Sequence, residues 1–291
     1  MASIPYVTTA VFKAHPTFLD LNNLRSGDSV LADQEAELAT ILLMASNWAD
    51  EQTGREDGSL QAAAYVERVR LRPDRQGRLT YRPDYYPVQQ ISGLSWGTDP
   101  ANLTALTDLT GLFIEKKKWV TAPLGHFATG MSSLQFGAPT SDRELYTQWA
   151  YVGGYPHTTL AAASASGATS LTVANPVGIT AGQVLRIWDP GAEEPMTVAA
   201  SYVAGSTEVT LAAPLVNAHT TGAMVSALPP AAVLAVINYA TAALMRPDTA
   251  AEDAYPDTRV RSSTRKADSR KDGSGLVAEA QRLLVPYMRR R

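Results

Sequence analysis

Apolar residues recur at helical spacing through "DQEAELATILLMASNWADEQTG", where Leu38, Ile41, Leu42, Ala45, Trp48 and Ala49 form one stripe and polar residues the other. Asp33 suits an N-cap, Glu35 and Glu37 fall in the first turn, and Gly54 follows as a stop. The pattern predicts a helix over 34–53, a rod of roughly 30 Å at ~1.5 Å per residue. Leu38, Ile41, Leu42 and Trp48 read as its packing residues. The period then changes. "AAAYVERVRLRPDRQGRLTYRPDYYPVQQISGLSWGTDP" alternates and is broken by Gly and Pro, which predicts hairpins around Asp74–Gly77 and near Asp84. Short strands continue through 101–140. In "ELYTQWAYV" (144–152), Ser141 and Glu144 have capping-box spacing. Leu145, Tyr146, Thr147, Trp149, Tyr151 and Val152 favour a strand, and the strand is the expectation.

An internal repeat follows. "GATSLTVANPV" from Gly167 and "GSTEVTLAAPL" from Gly205 share the order small–Thr–x–apolar–Thr–apolar–Ala–x–Pro–apolar. Each is trailed by a later glycine, Gly182 or Gly222, that opens another apolar stretch. Two related β units predict a small barrel or sandwich over about 159–228, entered through the Ala/Ser/Gly run 161–167. "LPPAAVLAVINYATAALMRP" then reads as a helix begun by Pro229–Pro230 and ended by Pro247. It is apolar on nearly every side, including Leu234, Ile237 and Leu244, so it requires burial in its own core or between subunits. It is expected to pair with helix 34–53.

Polar residues 248–275 read as a tether. Beyond it, Leu276, Val277, Ala280, Leu283 and Leu284 fall on one face of a short helix, opposite Glu279, Gln281 and Arg282. Pro286 limits that helix to two or three turns, too few to be stable alone in water. The expectation is a docking arm that contributes nothing to the core. Its apolar face, Pro286, the anchor Tyr287 and the cations Arg289, Arg290 and Arg291 would meet a partner.

Charge sharpens this picture. Residues 259–291 carry ten Lys/Arg against three acids, while 1–258 carry fifteen against twenty-five. A basic arm on an acidic body suits nucleic acid or an acidic protein. Hydrophobic residues at 45% and charged residues at 18% describe a folded chain. The absence of cysteine excludes disulfides and thiolate metal sites and fits assembly in a reducing cytoplasm. Neither a leader pattern at the start nor a span of eighteen apolar residues is present in the sequence, so no membrane contact is expected.

Candidate chemistry is sparse. His15, His126, His157 and His219 have no ligand spacing. Phosphate-cradling and nucleophile-elbow motifs are missing. "DPGAEE" gathers Asp189, Glu193 and Glu194 but lacks the alternation of a calcium loop. "EKKKW" (115–119) is a basic cluster beside a tryptophan that reads as a strand end facing water. No catalytic, metal or cofactor residues are expected, and no enzyme.

The order of parts carries a resemblance. "YVTTAVFKAHPTFLDLNNL", "NWADEQTG", "YYPVQQISGLSWG", "WAYVGGYPHTTLAA", the inserted β domain, "LPPAAVLAVINYATAALM" and "AEAQRLLVPYMRRR" follow one another as in the head–tail connector (adaptor) proteins of long-tailed bacteriophages, particularly those of actinobacterial hosts. The likeness spans almost the whole chain, and Met288 stands where a further basic or polar residue is expected. It implies an α+β fold: a helical adaptor body with β-hairpins (1–158 and 229–247), an inserted all-β domain (159–228), a linker (248–275) and a docking helix with basic tail (276–291). It also implies a non-enzymatic ring, twelvefold, in the virion neck. The partners would be other copies of itself, the portal protein and a downstream neck or tail-completion protein, with genomic DNA passing nearby. A different class of function, a carbohydrate- or host-surface-binding module, would need an exposed aromatic platform, for which Trp188 and Tyr202 are the candidates.

Overall fold

A computed structural model describes residues 2–17, 19, 21, 24, 30–55, 58–74, 77–123, 144–253 and 273–288, with backbone alone over 246–253. The class is α+β. Helix α1 (Thr9–Ala14) is capped by the Thr8 hydroxyl, which accepts from the Val11 N–H. Helix α2 (Leu31–Gln52) starts from Val30 rather than Asp33 and has no side-chain cap. Asp33 lies in its first turn, where a carboxylate still faces the positive end of the helix dipole. As expected from the sequence, the helix stops at Thr53, with Gly54 left-handed at φ 72.

The middle of the chain builds two antiparallel sheets. Strands β1 (Ala63–Leu71), β2 (Arg78–Tyr81), β3 (Val88–Asp99), β4 (Asn102–Ala105), β5 (Phe113–Glu115), β6 (Trp119–Pro123) and β7 (Leu145–Gly153) are shared between the orders β1-β7-β3-β4 and β2-β6-β5. The segment 145–153 is a strand, with strict alternation of buried and half-buried positions. The turn at Asp74–Gly77 exists, since the Gly77 N–H donates to the Asp74 carbonyl at 2.9 Å. It does not make the expected hairpin, nor does the bend near Asp84. β1 pairs with β7 and β2 with β6, so each turn passes the chain from one sheet to the other. The reason is a shared core: Leu79, Val120 and Ala122 meet Leu94, Leu145 and Trp149 between the sheets, and all are buried.

The repeat forms a β domain of its own. β8 (His157–Thr159), β9 (Ser170–Thr172), β10 (Val184–Trp188), β11 (Glu194–Thr197), β12 (Glu208–Thr210) and β13 (Met224–Ser226) make one sheet ordered β11-β10-β13-β8 and one β12-β9 pair. The two repeat units face each other, with Leu171 opposite Val209. Their hydrogen bonds match. Ala161 donates to Thr172 as Ala199 does to Thr210, and Ala174 donates to Thr159 as Ala212 does to Thr197, all at 2.9 Å. The domain has its own buried core of Leu160, Ile179, Leu185, Ile187, Val198 and Val209 among others. Its boundary is less clean than the repeat implies. Trp188 and Leu228 pack into the helical core, and β8 is the pairing partner of β13.

Helix α3 (Pro230–Asp253) begins at the expected proline but runs past Pro247, the expected stop. A proline forfeits one intrahelical bond, and the following Thr-Ala-Ala-Glu-Asp carries the helix on. The expected pairing of the two long helices holds: Trp48 of α2 stacks on Tyr239 of α3 at 4.0 Å and 11°. Leu38, Leu42, Ala235 and Val236 are fully buried between them, each large side chain worth roughly 1.5–3 kcal/mol. Ile41, Trp48 and Leu244 are partly buried against this core, Ile237 is buried in it, and Leu234 is half-buried.

Candidate interaction site

Helix α4 (Ser274–Leu284) and the 3-10 turn Val285–Tyr287 contain the residues expected to dock on a partner. Ala280 and Leu284 are fully buried in the same core as α2 and α3. Leu283 and Tyr287 pack partly against it, and Leu276 and Val277 are half-buried. The helices approach closely because Gly273 is left-handed at φ 69; a Cβ there would sit 3.0 Å from the Cα of Ala242. The expectation of an arm that contributes nothing to the core is therefore corrected. An amphipathic helix too short to stand alone buries its apolar face on the nearest apolar surface, and α2 and α3 supply one. What stays outward is Val285, at 57% exposed, with Pro286 and the Glu279–Arg282 pair. Arg289, Arg290 and Arg291 lie outside the described residues, as do most residues of the expected tether.

Beyond Leu284 the chain is tied to the body. Tyr287 meets Tyr155 edge-on at 6.5 Å. The Tyr86 hydroxyl donates to the Met288 carbonyl at 3.0 Å. This hydrogen bond joins residues 202 positions apart in the chain.

A buried polar network, which no sequence motif announces, joins the N-terminal segment, α2 and the β domain. The Tyr6 hydroxyl donates to Asp50 Oδ1 at 2.6 Å and lies 2.6 Å from Ser59 Oγ. Asp50 also accepts from the Leu60 N–H at 2.8 Å, and Gln61 Nε2 donates to the His157 carbonyl at 3.0 Å. The imidazole of His157 spans Pro5 O at 2.8 Å and Ser226 Oγ at 3.0 Å. Arg55, 1% exposed, donates to the carbonyls of Ser59 and Tyr86. Burial raises the Asp50 carboxyl above its usual range, against hydrogen bonds from Tyr6 and Leu60 that work the other way. Most of these partners lie far apart in the chain, beyond the reach of any local pattern.

His157 makes this junction sensitive to acid. Burial lowers its pKa to about 4 from 6.5, opposed by the hydrogen bond to Pro5. The folded state thus disfavours a proton that the unfolded chain accepts. Stability is complete above pH 6.5 and falls as pH drops toward 4, by about 3 kcal/mol over the window. Protonation of Asp50, eased by its raised pKa, offsets part of the loss at the acid end. Melting curves at pH 7 and pH 5 are expected to separate widely for the natural chain and much less for His157→Gln. Parallel shifts in both proteins would show that His157 is not the cause.

In the β domain the "DPGAEE" loop is a structural clasp. Glu194 accepts from the N–H groups of Val216 and Asn217 at 2.9 and 3.0 Å and lies 2.8 Å from His219 Nε2. Burial works to raise its pKa, but these hydrogen bonds prevail and lower it. Among the described residues no group of three or more His, Asp or Glu is placed to hold a metal ion. The aromatic platform is not exposed either. Tyr202 is 6% exposed within the domain core, and Trp188 packs on the helical core with Arg186 5.2 Å from its ring. Among the described residues no helix is long and apolar enough to cross a membrane.

No protein-family model matches this chain, and no curated protein does.

Proposed function

We propose that this chain is a structural subunit of the neck of a long-tailed bacteriophage, assembled in the host cytoplasm. It would act as a head-to-tail adaptor, forming a twelvefold ring between the portal and the next neck protein while DNA passes through the lumen. The observation that supports this most is the construction of the body. The N-terminal segment, α2 and α3 come from distant parts of the chain and share one core. The β domain is inserted between α2 and α3 with a core of its own. That is the order and nesting which the resemblance implies for an adaptor. Docking onto the portal then falls to the outward Val285 and Pro286 rather than to the leucines of α4.

The test is twofold. Native mass spectrometry of the purified chain, alone and with portal rings, should give a closed ring or a stoichiometric complex. Quantitative proteomics of purified virions should find it at or near the portal copy number. A chain that is absent from virions and stays monomeric with portal present would sink the reading.

A further inference from the structure

Basic residues gather around Tyr86. The hairpin β5–β6 has Lys116, Lys117 and Lys118 at its tip, all exposed.

The cations near Tyr86 are interleaved with rings. The Arg82 guanidinium lies 5.6 Å from the Tyr86 ring and 5.8 Å from that of Trp119, which is 41% exposed. Lys118 Nζ is 5.6 Å from the Tyr86 ring, and the buried Arg55 guanidinium is 5.5 Å from it. Lys117 Nζ donates to an uncharged partner, Gln89 Oε1 at 3.3 Å. Among the described residues, Arg82, Lys116, Lys117 and Lys118 form no ion pair, although the chain has an excess of acids. Glu115, the acid of the hairpin, pairs across the strand with Trp119.

The tip is also backbone-constrained. Lys116 and Lys117 are both left-handed, with φ 50 and 54, a conformation that lysine rarely adopts and that costs on the order of 1 kcal/mol per residue. The Val88 N–H donates to the Lys117 carbonyl at 2.8 Å, which holds the strained turn against β3. A merely solvated turn needs no such arrangement, since glycine or asparagine would fill both positions more cheaply. Here they carry charge.

We propose that this face, formed by Arg82, Lys116, Lys117, Lys118, Tyr86 and Trp119, binds the phosphate backbone of nucleic acid without reading sequence. Lysines are point charges on flexible stems, which can follow a repeating line of phosphates without one fixed geometry. The Tyr86 and Trp119 rings hold Arg82 in place beside the lysines. The inference goes beyond the adaptor reading and does not rest on it.

The probe is a fluorescein-labelled random-sequence duplex of about 25 base pairs, followed by anisotropy on the full chain in 50, 100 and 200 mM NaCl. Binding should weaken steeply with salt. The variant Lys116→Asn/Lys117→Asn/Lys118→Gln keeps residues that accept the left-handed turn, and circular dichroism checks its fold. It is expected to bind about tenfold or more weakly at 100 mM and to lose about 2 to 3 from the log–log salt slope, near 0.9 per phosphate contact. Poly-glutamate of equal total charge should compete poorly. No binding at 50 mM salt, an unchanged slope in the folded variant, or equal competition by poly-glutamate would each overturn the proposal. Ring formation by the same variant, read by native mass spectrometry, should be unaffected, so this inference and the adaptor reading fail separately.

Discussion

Removal of residues 275–291 is expected to destabilise the whole helical body rather than release a free arm. The deletion strips Ala280 and Leu284, both fully buried, and the partial cover of Leu283 and Tyr287, from the core shared with α2 and α3. Truncating one buried leucine alone, as in Leu284→Ala, costs about 2–5 kcal/mol, because the cavity it leaves collapses only in part. A native protein has roughly 5–15 kcal/mol in total. The full deletion also uncovers the apolar surface of α2 and α3 that α4 covers, so aggregation on expression is the expected outcome. Leu284→Ala provides the graded test. Its melting temperature should fall by several degrees, at roughly 2–4 °C per kcal/mol. A soluble truncated protein that melts with the natural chain would show that α4 is an appendage after all.

Ile237→Asp is expected to be as severe. Ile237 is 5% exposed, in the stretch of α3 where Ala235, Val236 and Ala240 are fully buried. A carboxylate there would be an uncompensated charge in an apolar site, at a cost of about 3–5 kcal/mol. Leu234→Asp is the informative comparison. That position is half-buried in the chain and retains access to water, so its cost to folding should be well under half as large. If Leu234 faces a neighbouring subunit, its substitution should instead spare the fold and disperse the ring. Soluble protein yield and melting temperature report the first effect, and native mass spectrometry the second. Folded, ring-forming Ile237→Asp protein would refute the burial argument.

Elements with strong local periodicity are legible in the residues themselves. Helix α2, the start of α3, strand β7 and the repeat all declare themselves through the spacing of apolar residues, because a helix or strand with one buried face must repeat at 3.6 or 2 residues. Apolar residues on nearly every side of α3 also demand burial, and α2 is the nearest partner of matching length. The repeat goes further: its two like sequences face each other, as units that each bury one face tend to do.

Pairing is another matter. The turns after β1 and β2 carry good turn residues, yet neither joins the strands it separates, since turn chemistry constrains direction locally and the core chooses which strands meet. Helix α4 shows the same limit. Its stripe of Leu276, Ala280, Leu283 and Leu284 requires docking, but amphipathicity does not distinguish a partner protein from the chain's own core. The buried network of Tyr6, Asp50, Ser59 and His157 leaves no trace in local sequence, because hydrogen bonds such as Tyr6–Asp50 and His157–Pro5 reach across 44 and 152 residues. The same holds for the basic face. "EKKKW" and Arg82 lie more than thirty residues apart along the chain, and the fold sets Arg82 and Lys118 around the one Tyr86 ring. Sequence by itself determined which segments would be helix, strand and repeat, since those follow from interactions within a few residues. Tertiary structure alone decided which of them touch, since that depends on competition among all the apolar and polar surfaces of the chain at once.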